Sequence, residues 1–317
     1  EVGEGDKIPY YEINVTEDAK KAMKAQMLQQ YGALQEGNKA GENDYIIADI
    51  ANDSHSAEGV YISVAHVAEI ARPLFIGKKA GDKFTCDVSV AFENETDRAS
   101  MLKVDKAKLA TLDPVFNFTV VNVKTFKAAE SNQETWNQMF GEGAVTSEEQ
   151  FMEKVVERIR ANHTQEANYR FAADVRKYFV DKADIELPEA FLKRWLVYAN
   201  DGKYTAEEVE KEFPGFVEDF KWQLTRGYLM QKLGLKVEKA DIEQAAESYV
   251  AYQYAMYGMG NVPQDLIKSS ARNVLEDENQ VRRLEEQVED NKTIGTLREK
   301  VSLQTKKISE EKFRALK

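Results

Sequence analysis

Phe116-Asn117-Phe118-Thr119-Val120-Val121-Asn122-Val123-Lys124 is the stretch at which this chain changes its period. Aromatic and β-branched residues crowd it, which suits a pleated, half-buried surface and predicts a strand. Upstream, Tyr45-Ile46-Ile47-Ala48-Asp49-Ile50 and Phe84 to Val90 read the same way, so a compact β-rich block is expected from about Asn43 to Phe126. Before the block, Ile8 to Val15 alternates as a strand. Thr16 then caps a helix expected to reach about Gly37, with Glu17 and Asp18 in its first turn, where the helix dipole favours acids. After Lys127 the spacing becomes helical. Thr146-Ser147-Glu148-Glu149 opens a long helix carrying Phe151, Val155, Ile159, Phe171, Val175 and Phe179 to about Lys182. Leu187-Pro188 stops it. Further helices are predicted behind Pro188, from Thr205 to Gly234, over Asp241–Met256, over Pro263–Asn273 and from Val274 to about Val301, with breaks at Gly141–Gly143, Asn200–Gly202 and Gly258–Gly260. The fold class is therefore α+β and mostly α: a small β-rich domain set among long charged helices. Each such helix buries only a stripe, which suggests extended arms as much as a compact ball.

A chain of 317 residues has room for two domains. Charged residues make up 31% of it, above the usual quarter, and this suits solvent-facing helices. The net charge of −12 argues against direct nucleic-acid binding, which needs clustered Lys and Arg, and against anionic membrane surfaces. No window reaches the length and apolarity of a spanning helix. The first residues, Glu1 to Asp6, lack the regions of a signal peptide, and a chain starting on Glu is expected to be a processed or trimmed product. Cys86 is the single cysteine, so no internal disulfide forms and a thiolate metal site is not expected. It reads as a small core residue on a strand in a reducing compartment.

No catalytic constellation emerges. The three histidines, His55, His66 and His163, have no metal-ligand spacing, so neither a metal nor a cofactor is expected. His163 sits among Arg160, Asn162 and Glu166 and is read as solvated. His55 lies beside Asp53 and Ser54, but three residues this close along one loop rarely reach triad geometry. Gly77-Lys78-Lys79-Ala80-Gly81 lacks the Gly-Lys-Ser/Thr end of a phosphate loop and is read as a turn. The unusual feature is Tyr249-Val250-Ala251-Tyr252-Gln253-Tyr254-Ala255-Met256-Tyr257-Gly258-Met259-Gly260. Tyr249, Tyr252 and Met256 fall on one helical face and Tyr254 and Tyr257 elsewhere, so one core cannot take them all. Methionine adapts its shape and tyrosine offers area plus a hydroxyl. The run reads either as a helix end packed on its neighbours or as a surface for other polypeptides, with Tyr249, Tyr252, Met256, Tyr257 and Met259 as the contacts.

The order of these pieces resembles bacterial trigger factor, the ribosome-associated folding chaperone. Lys79-Ala80-Gly81-Asp82-Lys83-Phe84-Thr85-Cys86-Asp87-Val88 looks like that family's Lys-Ala-Gly-Glu-x-Phe strand, and Phe116 to Lys124 like the last strand of its FKBP-type domain. Asn137-Gln138-Met139-Phe140-Gly141-Glu142, Ser147-Glu148-Glu149-Gln150-Phe151, Leu187-Pro188-Glu189-Ala190-Phe191-Leu192 and the closing Val301 to Phe313 follow in the family's order, so the resemblance covers Ile8 to Leu316. It implies a leading strand and linker helix over 1–42 that packs with the helical domain, an FKBP-like domain over 43–127, and a helical chaperone domain over 128–317.

What the resemblance implies is an ATP-independent chaperone that holds unfolded or nascent polypeptides in a helical cradle, in the cytoplasm. The family's ribosome-docking domain has no counterpart in these residues. The chain is expected to be a fragment that alone does not dock on the ribosome, and homodimerisation stays open. The family's enzymatic class is prolyl isomerisation, which twists an X-Pro bond over a barrier of about 18–20 kcal/mol. Its Pro-Gly-Phe-Glu turn is replaced here by Val67-Ala68-Glu69-Ile70-Ala71-Arg72, with Ala71 where the Phe would stand. The family's later Tyr has no counterpart in Phe92 to Asp97. Phe118 is the residual aromatic wall, and no catalytic residue is assigned. Isomerase activity is accordingly expected to be weak or lost. The rival readings are an active FKBP-type isomerase with a remodelled pocket, a periplasmic chaperone of similar build, and a helical scaffold with one dedicated partner.

Overall fold

The computed structural model describes residues 2–199 and 203–316; the break expected at Asn200–Gly202 lies outside the described residues. In chain order the elements are β1 (Lys7–Ile13), α1 (Glu17–Gln30), β2 (Ala33–Glu36), β3 (Tyr45–Ala51), β4 (Ser56–Ser63), β5 (Lys83–Asp87), α2 (Val88–Ala91), α3 (Glu95–Leu102), α4 (Lys106–Leu109) and β6 (Val115–Lys127). There follow α5 (Gln133–Phe140), α6 (Glu148–Ala183), α7 (Glu189–Ala199), α8 (Ala206–Leu233), α9 (Lys239–Met256), α10 (Gln264–Val274), α11 (Glu278–Lys300), β7 (Ser302–Ile308) and α12 (Glu310–Arg314). The class is α+β, mostly α, as read. The chain divides into two compact units, Val15–Ile159 and a second made of Glu1–Asn14 with Arg160–Lys317.

In the β-rich unit the sheet order is β2-β6-β3-β4, with β5 also paired to β6. Alternation explains the burial: Ile46, Ala48 and Ile50 of β3, and Phe116, Phe118, Val120 and Val123 of β6, point inward at 1% exposure or less. Phe75, Phe84 and Phe118 close the core, with Phe84 stacked on Phe118 at 5.0 Å and Phe75 edge-on to Phe118 at 5.8 Å. Cys86 lies on β5 in this core. Burial, with the Asp87 carboxylate as a second cause, pushes its thiol up to about 11, so it is an inert packing residue.

Thr16 caps α1 as expected, its hydroxyl accepting from the Ala19 N–H at 3.1 Å. The helix ends at Gln30 rather than near Gly37, because Ala33–Glu36 pairs antiparallel with Lys124–Lys127. Gly32 permits the switch: a Cβ there would stand 2.3 Å from the Lys127 carbonyl oxygen. Phe84 to Val90 also ends early as a strand, since Asp87 caps α2 by accepting from the Ser89 N–H. With α1 go α5 and the first part of α6, joined through Met27, Trp136, Phe151 and Val155. β1 packs with the helices, and α1 and β2 belong to the β-rich unit.

The helical unit has two cores. Ile8, Phe171, Val175, Phe179, Trp222, Leu229 and Leu297 join β1, α6, α8 and α11. Arg226, buried on α8, donates to Asp290 at 2.6 Å and Glu289 at 2.5 Å, and the Trp222 indole N–H donates to Asp290 at 2.9 Å, which locks α8 to α11. Ala246, Val250, Ala271 and Leu284 make the second core, of α9, α10 and α11. His163 is not solvated, as its sequence neighbours suggested. It is 8% exposed, with Nε2 2.7 Å from Glu310 Oε1, because α12 brings its first residue onto α6. His55 forms no triad either; its Nε2 lies 2.7 Å from the Leu102 carbonyl.

β7 pairs parallel with β1 in a two-stranded sheet, from Lys7↔Ser302 to Ile13↔Ile308. The Ser302 N–H donates to the Asp6 carbonyl and the Asn14 N–H to the Ile308 carbonyl. With no register shift between them, Ile8, Tyr10 and Glu12 of β1 face β7, and Pro9 points away. Pro9 therefore removes no ladder bond, which is how a strand tolerates it.

Candidate functional sites

The tyrosine and methionine run ends α9. Gly258 at φ +78° takes the left-handed position that Cβ-bearing residues avoid. Its N–H donates to the Ala255 carbonyl and the Met259 N–H to the Tyr254 carbonyl at 2.9 Å, a Schellman closure that fixes the direction of Met259. Inside the helix, spacing sorts the run. Tyr254 turns to the core, its hydroxyl 3.0 Å from Ser270 Oγ. Tyr249 is half-buried, packs on the same core and accepts from Gln253 Nε2 at 2.7 Å. Tyr252, Met256, Tyr257 and Met259 are left in solvent, 65, 69, 81 and 51% exposed.

Tyr249 and Tyr252 line a groove of about 600 Å³ between α9 and α11, with Ala245 and Ser248 on one wall and Val288 and Asn291 on the other. Lys292 closes one end, donating to Asp241 Oδ2 at 2.5 Å and to the Lys236 carbonyl at 2.9 Å. The Lys292 hydrogen bond first, then that of the Glu238 N–H, holds the Asp241 carboxyl below the usual carboxylate range. Aromatic walls, amide-bearing rims and an adjacent exposed methionine tip suit an extended chain of mixed composition.

A second exposed set escaped the sequence reading. Phe191, Trp195 and Tyr198 form an i, i+4, i+7 stripe on α7, 54, 49 and 85% exposed, while Leu192 on another face is buried. α7 is held on α8 by the Lys193–Glu210 ion pair at 2.7 Å and by Lys193 lying 4.8 Å over the Phe213 ring. The signal was present: this helix has more large apolar residues than one face can bury.

The β-rich unit carries a cleft of about 680 Å³ walled by Tyr45, Tyr61 and Phe92, with His66, Glu69, Glu93 and Asp97 among its polar lining. Phe118 does not line it. Phe92 backs onto Phe75 at 6.1 Å and Phe75 onto Phe118, which is 0% exposed, so the ring named as the pocket wall lies one layer too deep. Ala71 is buried too, within a turn that Arg72 braces by donating to the Val67 carbonyl at 3.1 Å and to Glu42 at 3.0 Å. Among the described residues no cluster of His, Cys, Asp and Glu could hold a metal ion, and no helix is long and apolar enough to cross a membrane.

Two family profiles match the chain: "Probable trigger factor, FKBP-like domain" over 34–128 and "Probable trigger factor, C-terminal domain" over 167–316. A solved structure from work on promiscuous substrate recognition in folding and assembly activities of the trigger factor chaperone aligns with a TM-score of 0.50 at 14% identity, covering 94% of this chain and 71% of its own. At that identity the likeness speaks for the fold. No curated protein matches.

Proposed function

Given that this chain belongs to the trigger factor family, we propose that it is an ATP-independent chaperone that holds unfolded segments against its helical unit. One observation carries the reading: large apolar side chains stand in solvent along α7 and at the end of α9, and α9 and α11 form a groove with room for an extended chain. Fully burying a side chain of this kind contributes about 1.5–3 kcal/mol. Several such contacts, each weak alone, bind by multivalency and release without a nucleotide. The client contacts assigned are Tyr249, Tyr252, Met256, Tyr257 and Met259. Cytoplasmic work belongs to the same reading.

Prolyl isomerisation in the β-rich unit is proposed to be weak or lost. Its support is the placement of Phe118 beneath Phe75 and Phe84, out of the cleft, and the carboxylates of Glu69, Glu93 and Asp97 that share the cleft lining with Tyr45, Tyr61 and Phe92. The test is dilution of a denatured protein into buffer without ATP. Suppressed aggregation near equimolar chain is the expected outcome; none, with the chain shown folded, would overturn the reading.

A further inference from the structure

The β1–β7 ribbon has two outer edges, and they differ. On β1, Pro9 stands at an outward position without an N–H to offer, and α12 packs on this strand, Phe313 meeting Tyr11 edge-on at 6.0 Å. Pro9 interrupts that edge, and α12 covers the Tyr11 face of the strand beside it. On β7 the ladder uses Ser302, Gln304, Lys306 and Ile308, so Leu303, Thr305 and Lys307 turn both N–H and C=O away from β1. None of those groups has a hydrogen-bond partner among the described residues, and Gln304 to Lys307 are exposed. An extended, unblocked edge of this kind is a template for one more strand.

Charge indicates what would occupy it. Lys306 and Lys307 project from the open strand without an ion pair among the described residues. The ribbon carries three lysines, Lys7, Lys306 and Lys307, and one acid, Glu12, which shares a face with Lys307 alone, in a chain whose net charge is −12. A second copy of β7 laid on this edge would gather four ammonium groups on one ribbon, and like charges on facing strands are unfavourable. We propose that the open edge of β7 takes an extended, carboxylate-bearing segment of an unfolded polypeptide as an added strand. The proposal rests on the chaperone reading above and deepens it. Main-chain pairing captures a segment with little regard for its side chains, and the lysines bias the choice toward acidic stretches.

The test uses the full chain and an acetylated octapeptide alternating Val and Glu, its Val–Lys counterpart, and the Val–Glu peptide N-methylated at every residue so that neither of its edges can donate, followed by fluorescence anisotropy. Thr305→Pro deletes an outward N–H and no ladder bond, and Lys306→Glu with Lys307→Glu reverses the local charge. The Val–Glu peptide should bind the wild type. N-methylation and Thr305→Pro should each weaken it about tenfold or more, as expected for losing net main-chain hydrogen bonds, and the double charge variant should prefer the Val–Lys peptide. Equal binding of the N-methylated peptide overturns the proposal even if Thr305→Pro fails to fold. A dimer in sedimentation that Thr305→Pro dissolves, with no peptide bound, also overturns it and makes the edge an interface between copies. Aggregation suppression measured alongside separates the two ideas. Suppression without strand capture removes this proposal alone, and no suppression removes the chaperone reading whatever the peptide does.

Discussion

Replacing Tyr252 and Met256 together with Ala separates a client surface from a packed helix end. Tyr252 is 65% exposed and Met256 69% exposed, so neither owes much to the folded state. Substitutions of such residues normally stay within about 0.5 kcal/mol each. For a unit of this size that is a Tm shift of no more than about 2–4 °C for the pair. Binding should behave differently. An aromatic side chain has roughly 150–250 Å² to bury, and two thirds of that gives roughly 100–160 Å² available to a client. At about 25 cal/mol per Å² full cover contributes roughly 2.5–4 kcal/mol, and half cover about 1–2. With a similar return from the methionine, the pair should weaken binding of an unfolded client by about 2–3 kcal/mol, roughly 30- to 150-fold. The assay is anisotropy of a labelled, permanently unfolded protein titrated with the wild-type and double-variant chains, beside thermal unfolding of both. A fall in Tm beyond about 5 °C with client affinity unchanged would refute the reasoning and return these residues to a structural role.

Asp6 provides a pH test. Burial works to raise its carboxyl, but hydrogen bonds from Lys182, from the Tyr178 hydroxyl at 2.8 Å and from the Gly3 N–H outweigh it, and the group titrates below its ordinary range. A depressed folded-state value contributes stability that is present above the unfolded carboxylate range and is lost as pH falls through the folded value. Asp6→Asn should therefore cost the helical unit about 2–4 kcal/mol near neutrality, and the Tm difference from wild type should shrink below about pH 4; a gap that stays constant to pH 3 would reject the assignment. Phe118→Ala should destabilise the β-rich unit by about 3–5 kcal/mol in denaturant titration, since it empties a core site. Tyr61→Ala, at a residue 63% exposed on the cleft, should leave folding within about 0.5 kcal/mol and abolish whatever slow isomerase activity a proline-limited refolding assay detects. Loss of activity in the Phe118 variant without loss of stability would restore Phe118 as a pocket wall.

Long-period signals were legible in the residues themselves. The 36-residue α6, the Thr205 cap and the Gly234 stop of α8, and the three main strands follow from spacing, capping chemistry and β-branched content, which are local properties. The order of motifs carried the family. What the sequence left open depended on partners distant along the chain. Ala33–Glu36 has nothing in its own residues to end a helix; it becomes a strand because β6 offers a free edge ninety residues later. His163 has polar neighbours in sequence, yet it is buried, with the half-exposed Glu310 as its partner in space. Phe118 and Tyr61 are both aromatic residues on strands, and only the stacking of Phe75 and Phe84 decides which faces a core and which a cleft. The same holds for Tyr254 against Tyr252: helical geometry put them on different faces, but which face met α10 was set by tertiary packing. Burial is a property of pairs of elements, and for that reason the residues alone determined the long helices and the main strands, while β2 and the exposed set that a client could meet were decided by how the elements pack.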